Sequence, residues 1–182
     1  MNKLKNIFQL IRIRNSPSLV THIILGYAIC HKNSMSTIDV GHESLLIFFL
    51  LYAAIILMYS GGMAMNDLID IKKDKNTHRP LITKKISITE GILIASVCFV
   101  ISLIIFYILN TLFWGTLLLI IIFVYNFTHQ PLPYISAIFM GLARSIVLPL
   151  SATSFMGSLE ALIIIKPCIF IFLWTFLITI IA

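Results

Sequence analysis

Charge is scarce in this chain: 11% of its 182 residues are Asp, Glu, Lys or Arg, and only seven are acidic. With 59% hydrophobic residues and a mean hydropathy of +1.03, a soluble domain of this length has no interior large enough to hide its apolar surface. The chain therefore belongs in a membrane. Alternation of apolar and polar residues is missing too, which argues against a β-barrel. The apolar runs are continuous and approach the roughly 20 residues that a helix needs to cross the hydrocarbon core. The three cysteines, Cys30, Cys98 and Cys168, lie far apart in or beside such runs without CxxC spacing. They read as small buried hydrophobes rather than a disulfide or a metal–thiolate site. No A-x-A-like cleavage site follows the first apolar stretch, and the residue before Cys30 is isoleucine, so that segment is expected to be a retained anchor. The fold class expected is an all-α, multi-spanning transmembrane helical bundle.

Six spans are expected, at about 17–31, 44–65, 90–109, 112–127, 133–156 and from 161 to the last residue. Asn110 and Thr111 leave room only for a hairpin tip, and Pro149 is expected to kink the fifth span. Residues 1–15 read as a weakly amphipathic entry segment, with Ile7, Phe8, Leu10, Ile11 and Ile13 among Lys5, Arg12 and Arg14. The net charge of +6 is a topology signal. Ten of thirteen basic residues are Lys3, Lys5, Arg12, Arg14, Lys72, Lys73, Lys75, Arg79, Lys84 and Lys85, which flank the first two spans on one side. The positive-inside rule places that side, with the N-terminus and the 66–89 segment, in the cytoplasm of an inner-membrane protein.

The acids are concentrated where insertion is most costly. MAMNDLIDIKKDKNTHRP, residues 63–80, follows directly on the second span. At 100° per residue, Asn66, Asp67, Asp70 and Asp74 fall within one arc of about 100° on a helix. Carboxylates so close repel and partly protonate unless a cation joins them, and an all-oxygen set suits Mg²⁺, which commonly takes one or two carboxylates plus phosphate oxygens. The neighbouring lysines and Arg79 could hold further phosphate charge. A solvated loop whose lysines set topology is the competing reading. Helical spacing and the placement of Asn66 and Asp67 at membrane depth, where polar groups usually serve function, favour ligation.

The pattern Asn66-Asp67-x-x-Asp70-x-x-x-Asp74, followed by Arg79-Pro80-Leu81, resembles the first aspartate-rich motif of the UbiA-type intramembrane prenyltransferases. Arg14-Asn15-x-Pro17, Gly61-Gly62, Tyr125 and Met140-Gly141-Leu142-x-Arg144 also sit where that family has similar residues, and the last of these, with the short Tyr125-Asn126 loop, is similar to the EboC-like branch. The resemblance implies about six spans of a nine-helix fold around a cavity that opens to lipid. It also implies a polyprenyl diphosphate held through Mg²⁺, whose C–O bond ionises before an aromatic or hydroxyl acceptor attacks the allylic cation. It makes Asn66, Asp67, Asp70 and Asp74 the catalytic metal–diphosphate ligands, and Arg79, Arg144 and Tyr125 substrate contacts. A mid-span arginine is costly, so Arg144 should face the cavity or pair with an acid, a motif carboxylate being the structural choice. Tyr125 serves equally as an interfacial anchor. His22 and His129 read as structural or interfacial.

Departures from the family matter as much. Residues 1–182 read as one UbiA-like domain that stops after span six, without a second aspartate-rich motif; the last acid is Glu160. An Mg²⁺-dependent prenyltransferase is the first expectation. The alternative is a non-catalytic relative that binds isoprenoid lipid or a partner chain supplying missing helices. A transporter component fits less well, because the acids sit at the membrane edge and no inverted repeat is visible.

Overall fold

The computed structural model describes residues 3–11, 17–33, 42–71, 79–156 and 161–181. Its helices are α1 (Lys3–Leu10), α2 (Pro17–Asn33), α3 (His42–Asp70), α4 (Ile88–Ile108), α5 (Leu112–Thr128), α6 (Pro133–Ser145), α7 (Val147–Met156) and α8 (Ala161–Ile181). Four stretches are long and apolar enough to cross a membrane: Glu43–Asp70, Ile88–Ile108, Pro133–Phe155 and Ile163–Ile181. Ser18–Ile29 and Leu112–Thr128 are shorter apolar helices. The six expected spans are therefore present as helices, with α6 and α7 together making the fifth. The outer turn at Gly157-Ser158 lies outside the described residues.

Local sequence explains the boundaries. Ser87 caps α4 by accepting from the Glu90 N–H at 3.2 Å, while Glu90 accepts from the Ser87 N–H at 3.0 Å, a complete capping box. Glu90 also takes the ammonium of Lys3 at 2.6 Å, so α1 is tied to the start of α4 and is more than a lipid-surface segment; its Leu10 is fully buried. At the other end of α4, Asn110 adopts φ 56°. Its N–H donates to Tyr107 O at 3.1 Å, and Thr111 N–H donates to Phe106 O at 2.8 Å. That is a Schellman ending with asparagine in the left-handed position, and it makes the hairpin tip read from the sequence.

Pro149 breaks the fifth span. It has no N–H for the Ser145 carbonyl and its ring crowds that carbonyl, so helix α6 ends at Ser145 and α7 restarts at Val147. The stranded Ser145 oxygen accepts instead from the thiol of Cys168 on α8, at 3.6 Å. Cys98 is buried in α4.

Lipid offers no hydrophobic drive between helices, so close backbone approach and interhelical hydrogen bonds hold the bundle. The main pairings are α3 with α4, α6 with α8, α2 with α7 and α5 with α6. Ser102 Oγ donates to Ala54 O at 2.7 Å, Ser151 Oγ to Ile23 O at 3.0 Å, and Tyr59 Oη to Ala143 O at 2.6 Å. Many exposed side chains on α4 and α8, such as Leu93, Val100, Phe170 and Trp174, are large and apolar, as a lipid-facing surface requires. Replacing Tyr59 by phenylalanine removes one of these bonds and keeps the ring. The unfolding midpoint in a mixed-detergent titration should fall by the equivalent of about 0.5–1 kcal/mol.

Candidate functional site

Helix α3 does not stop at the membrane edge, as a span ending at 65 would suggest; it runs on through Asp70. The reason lies in what comes to meet it. Asp67 and Asp70 find partners at that depth, so the chain need not leave the helix to reach water. Asp67, 3% exposed, accepts from Arg79 Nη1 at 2.9 Å. The same nitrogen lies 3.9 Å from Asp70 Oδ2. Asp70, 5% exposed, has both oxygens engaged from the far side: Oδ2 with His129 Nε2 at 3.0 Å, and Oδ1 with the Gln130 amide. Asn66 Oδ1 is a buried oxygen without a hydrogen-bond partner among the described residues.

Two segments deliver those partners. Arg79 opens the turn-rich 79–86 stretch, where Pro80 O accepts from Lys85 N–H at 3.0 Å and Ile86 N–H at 3.3 Å. Leu81 and Ile86 are buried, which seats the stretch on the bundle. His129 and Gln130 end α5. His129 Nδ1 faces Asn126 O at 2.8 Å, and the ring stacks on Tyr125 with centroids 5.9 Å apart. Both imidazole nitrogens thus face acceptors. Asn126, 1% exposed, donates from Nδ2 to Gly62 O at 3.1 Å and pins α5 to α3 one turn before the motif.

Below this polar knot lies a cavity between α3, α5 and α6, with an empty volume of about 420 Å³ including its mouth. Tyr59, Met63, Ile122, Tyr125, Met140 and Arg144 are among its lining residues. Arg144 faces the cavity as expected. Among the described residues no carboxylate, Asp67 and Asp70 included, pairs with it, and Asp74 lies outside them. Its Nη1 donates to Ser18 Oγ at 3.1 Å and its guanidinium lies 5.1 Å from the centre of the Tyr59 ring. The separation of α6 from the motif end of α3 gives the physical reason: Arg144 sits three turns past Pro133, about 16 Å along its helix, and the nearer partner is an aromatic face. Tyr125 lines the cavity and is more than an interfacial anchor.

Of the residues expected from sequence, the structure brings together Asn66, Asp67, Asp70 and Arg79 at the end of α3, and Tyr125 and Arg144 in the cavity wall. Asp74, Lys72, Lys73, Lys75, Arg14 and Asn15 lie outside the described residues. His129 was expected to be structural, and Gln130 carried no expectation; both reach the motif. One signal pointed to them, their place at the end of span four on the motif's side of the membrane. His22 is local, its Nδ1 meeting Ser18 O at 2.6 Å.

An oxygen-only set suits Mg²⁺: two buried carboxylates, plus an orphaned amide oxygen one residue away on the same helix face. Among the described residues no group of three or more His, Cys, Asp or Glu side chains forms a metal-binding cluster, so a cation here would need oxygens from a ligand as well.

Residues 23–182 match the profile of the UbiA prenyltransferase family. A solved structure from a study of digeranylgeranylglyceryl phosphate synthase superposes with a TM-score of 0.76 at 20% sequence identity. The match covers 98% of this chain and 60% of that one, and at that identity the likeness is one of fold. No curated protein matches the chain.

Proposed function

Because the chain belongs to the UbiA prenyltransferase family, we propose that it binds a polyprenyl diphosphate through Mg²⁺ at the end of α3 and serves transfer of the prenyl group to an aromatic or hydroxyl acceptor. One observation supports the reading: two buried carboxylates and an orphaned oxygen lie on α3 about one to two turns beyond Gly62 and Met63, which line an apolar cavity walled by helices. Asn66, Asp67 and Asp70 would hold the metal, with Asp74 completing the motif. When bound, Mg²⁺ draws charge from the diphosphate and neutralises what develops on the leaving group.

The remaining steps fall to the chain's own side chains. Arg79 supplies positive charge to the diphosphate oxygens. Met63, Ile122 and Met140 keep water from the allylic carbon, and the faces of Tyr59 and Tyr125 stabilise positive charge that appears there. Arg144 contacts substrate from the cavity wall. The basic residues set the motif end toward the cytoplasm of an inner membrane.

A second reading, an isoprenoid-binding relative without transfer or one half of a two-chain site, draws on the described residues, among which no group of three or more His, Cys, Asp or Glu side chains gathers to hold a metal ion. The test uses the chain in lipid nanodiscs with farnesyl thiolodiphosphate, which resists ionisation. Binding is expected with Mg²⁺, with loss on adding EDTA, and farnesol should not compete. Equal binding of farnesol, or indifference to EDTA, would remove the diphosphate site. Turnover of farnesyl diphosphate with a phenolic acceptor would then separate enzyme from binder.

A further inference from the structure

Arg79 occupies an unusual position for a residue meant to meet a diphosphate. A single nitrogen, Nη1, stands 2.9 Å from Asp67 Oδ1 and 3.9 Å from Asp70 Oδ2, so it bridges the two carboxylates a metal would share. Its backbone is fixed: the Arg79 carbonyl accepts from Thr83 N–H at 3.0 Å and Thr83 Oγ1 at 3.1 Å. Movement is therefore left to the side chain, which is 23% exposed on the rim of the site. Asp70 is held independently by His129 and Gln130 from the end of α5. It keeps its place if Arg79 leaves.

We infer that Arg79 is a place-holder cation. It stands in the metal position while no diphosphate is present and passes onto the diphosphate when Mg²⁺ and diphosphate arrive together. The inference rests on reading the motif as a Mg²⁺–diphosphate site. Its physical ground is charge balance. Two carboxylates at 3% and 5% exposure would repel each other without a cation between them, and either left unpaired is costly. The guanidinium offsets their charge and keeps both oriented. Mg²⁺ by itself would have to displace Arg79 from both carboxylates without bringing an anion for it. Mg²⁺ with diphosphate provides that anion, so metal and diphosphate assist each other's binding, and the coupling is reciprocal.

The test compares wild type with R79Q, which keeps an N–H donor for Asp67 but no charge, in nanodiscs by calorimetry, with MgCl₂ alone and with MgCl₂ plus inorganic pyrophosphate. Removing the competitor should tighten binding of Mg²⁺ alone by about tenfold or more. The melting temperature of R79Q should rise at Mg²⁺ concentrations that leave wild type unmoved. Mg²⁺–pyrophosphate should bind R79Q more weakly than wild type, a change of opposite sign. Unchanged Mg²⁺ affinity in R79Q, with wild type still taking Mg²⁺–pyrophosphate, overturns the place-holder and leaves the metal site standing. Failure of wild type to bind Mg²⁺ even with pyrophosphate overturns both. Should R79Q not fold, wild type labelled with ¹⁵N-arginine carries the test. The Arg79 side-chain resonance should shift with Mg²⁺–pyrophosphate and hold still with Mg²⁺ alone; a resonance that ignores both overturns the inference.

Discussion

Replacing Asp67 by asparagine is expected to weaken Mg²⁺-dependent binding of a prenyl diphosphate by about 100-fold or more, at the upper edge of what is lost when a residue merely supports a metal ligand. The size follows from where Asp67 sits. It is 3% exposed, accepts from Arg79 at 2.9 Å, and is the carboxylate nearest the orphaned Asn66 oxygen in sequence. Asparagine keeps the shape and one acceptor oxygen but removes the charge that holds both Arg79 and a metal. The protein should also lose stability, by about 1–3 kcal/mol, less than for a fully buried pair because Arg79 reaches partly into solvent. Calorimetry with farnesyl thiolodiphosphate measures the first effect and a detergent unfolding titration the second. Ordinary Mg²⁺-dependent binding by D67N would show that Asp67 serves the structure and not the metal.

The second large effect lies one turn away and is steric. At Gly62 α3 and α5 approach tightly: a Cβ placed there would stand 2.7 Å from Ile122 Cγ2. Isoleucine in a helix has essentially one χ1 rotamer, so that methyl cannot swing aside, and the helices must part. Parting them also strains the Asn126 bond to Gly62 O. Gly62→Ala should therefore destabilise by about 1–3 kcal/mol despite the better helix propensity of alanine. Gly62→Leu should in addition fill the cavity that Gly62 lines and block prenyl diphosphate binding. An unfolding midpoint at or above wild type for Gly62→Ala would show that α3 and α5 can slide without loss. Gly61 is a milder case, because its nearest neighbour is the edge of the Phe99 ring, which can tilt.

Most of the bundle is legible in the sequence, because a bilayer imposes a length on apolar runs that water does not. The α4–α5 hairpin followed from two residues, Asn110 and Thr111, and the break in the fifth span from Pro149. The motif was readable because its spacing puts oxygens on one helix face. What sequence could not give was pairing across distance. His129 and Gln130 lie 59 and 60 residues from Asp70, and nothing local marks a histidine at the end of a span as the partner of a remote acid. Arg144 shows the same limit. Its cost in the membrane was legible, but the choice between a carboxylate and the face of Tyr59 depends on how far along α6 it sits. The helical spacing of the acids agrees with α3 running on through Asp70; what the sequence does not show is that remote elements come down to meet those acids.

The unequal helix lengths have a consequence for the surrounding lipid. Helices α2 and α5 have 17 residues each, about 25 Å of axial rise, against a hydrocarbon core of about 30 Å. Flanking bilayer must thin to cover them or expose polar ends to acyl chains, at a modest cost per ångström of mismatch. The end of α5 carries His129 and Gln130 to the level of Asp70, so the pinch falls at the motif. Headgroups drawn inward there bring the phosphate plane of the leaflet down toward the carboxylates. An amphiphile with an anionic head and a hydrocarbon tail drifting in that leaflet would meet the motif with its head already near the right depth, and would not have to be lifted out of the membrane.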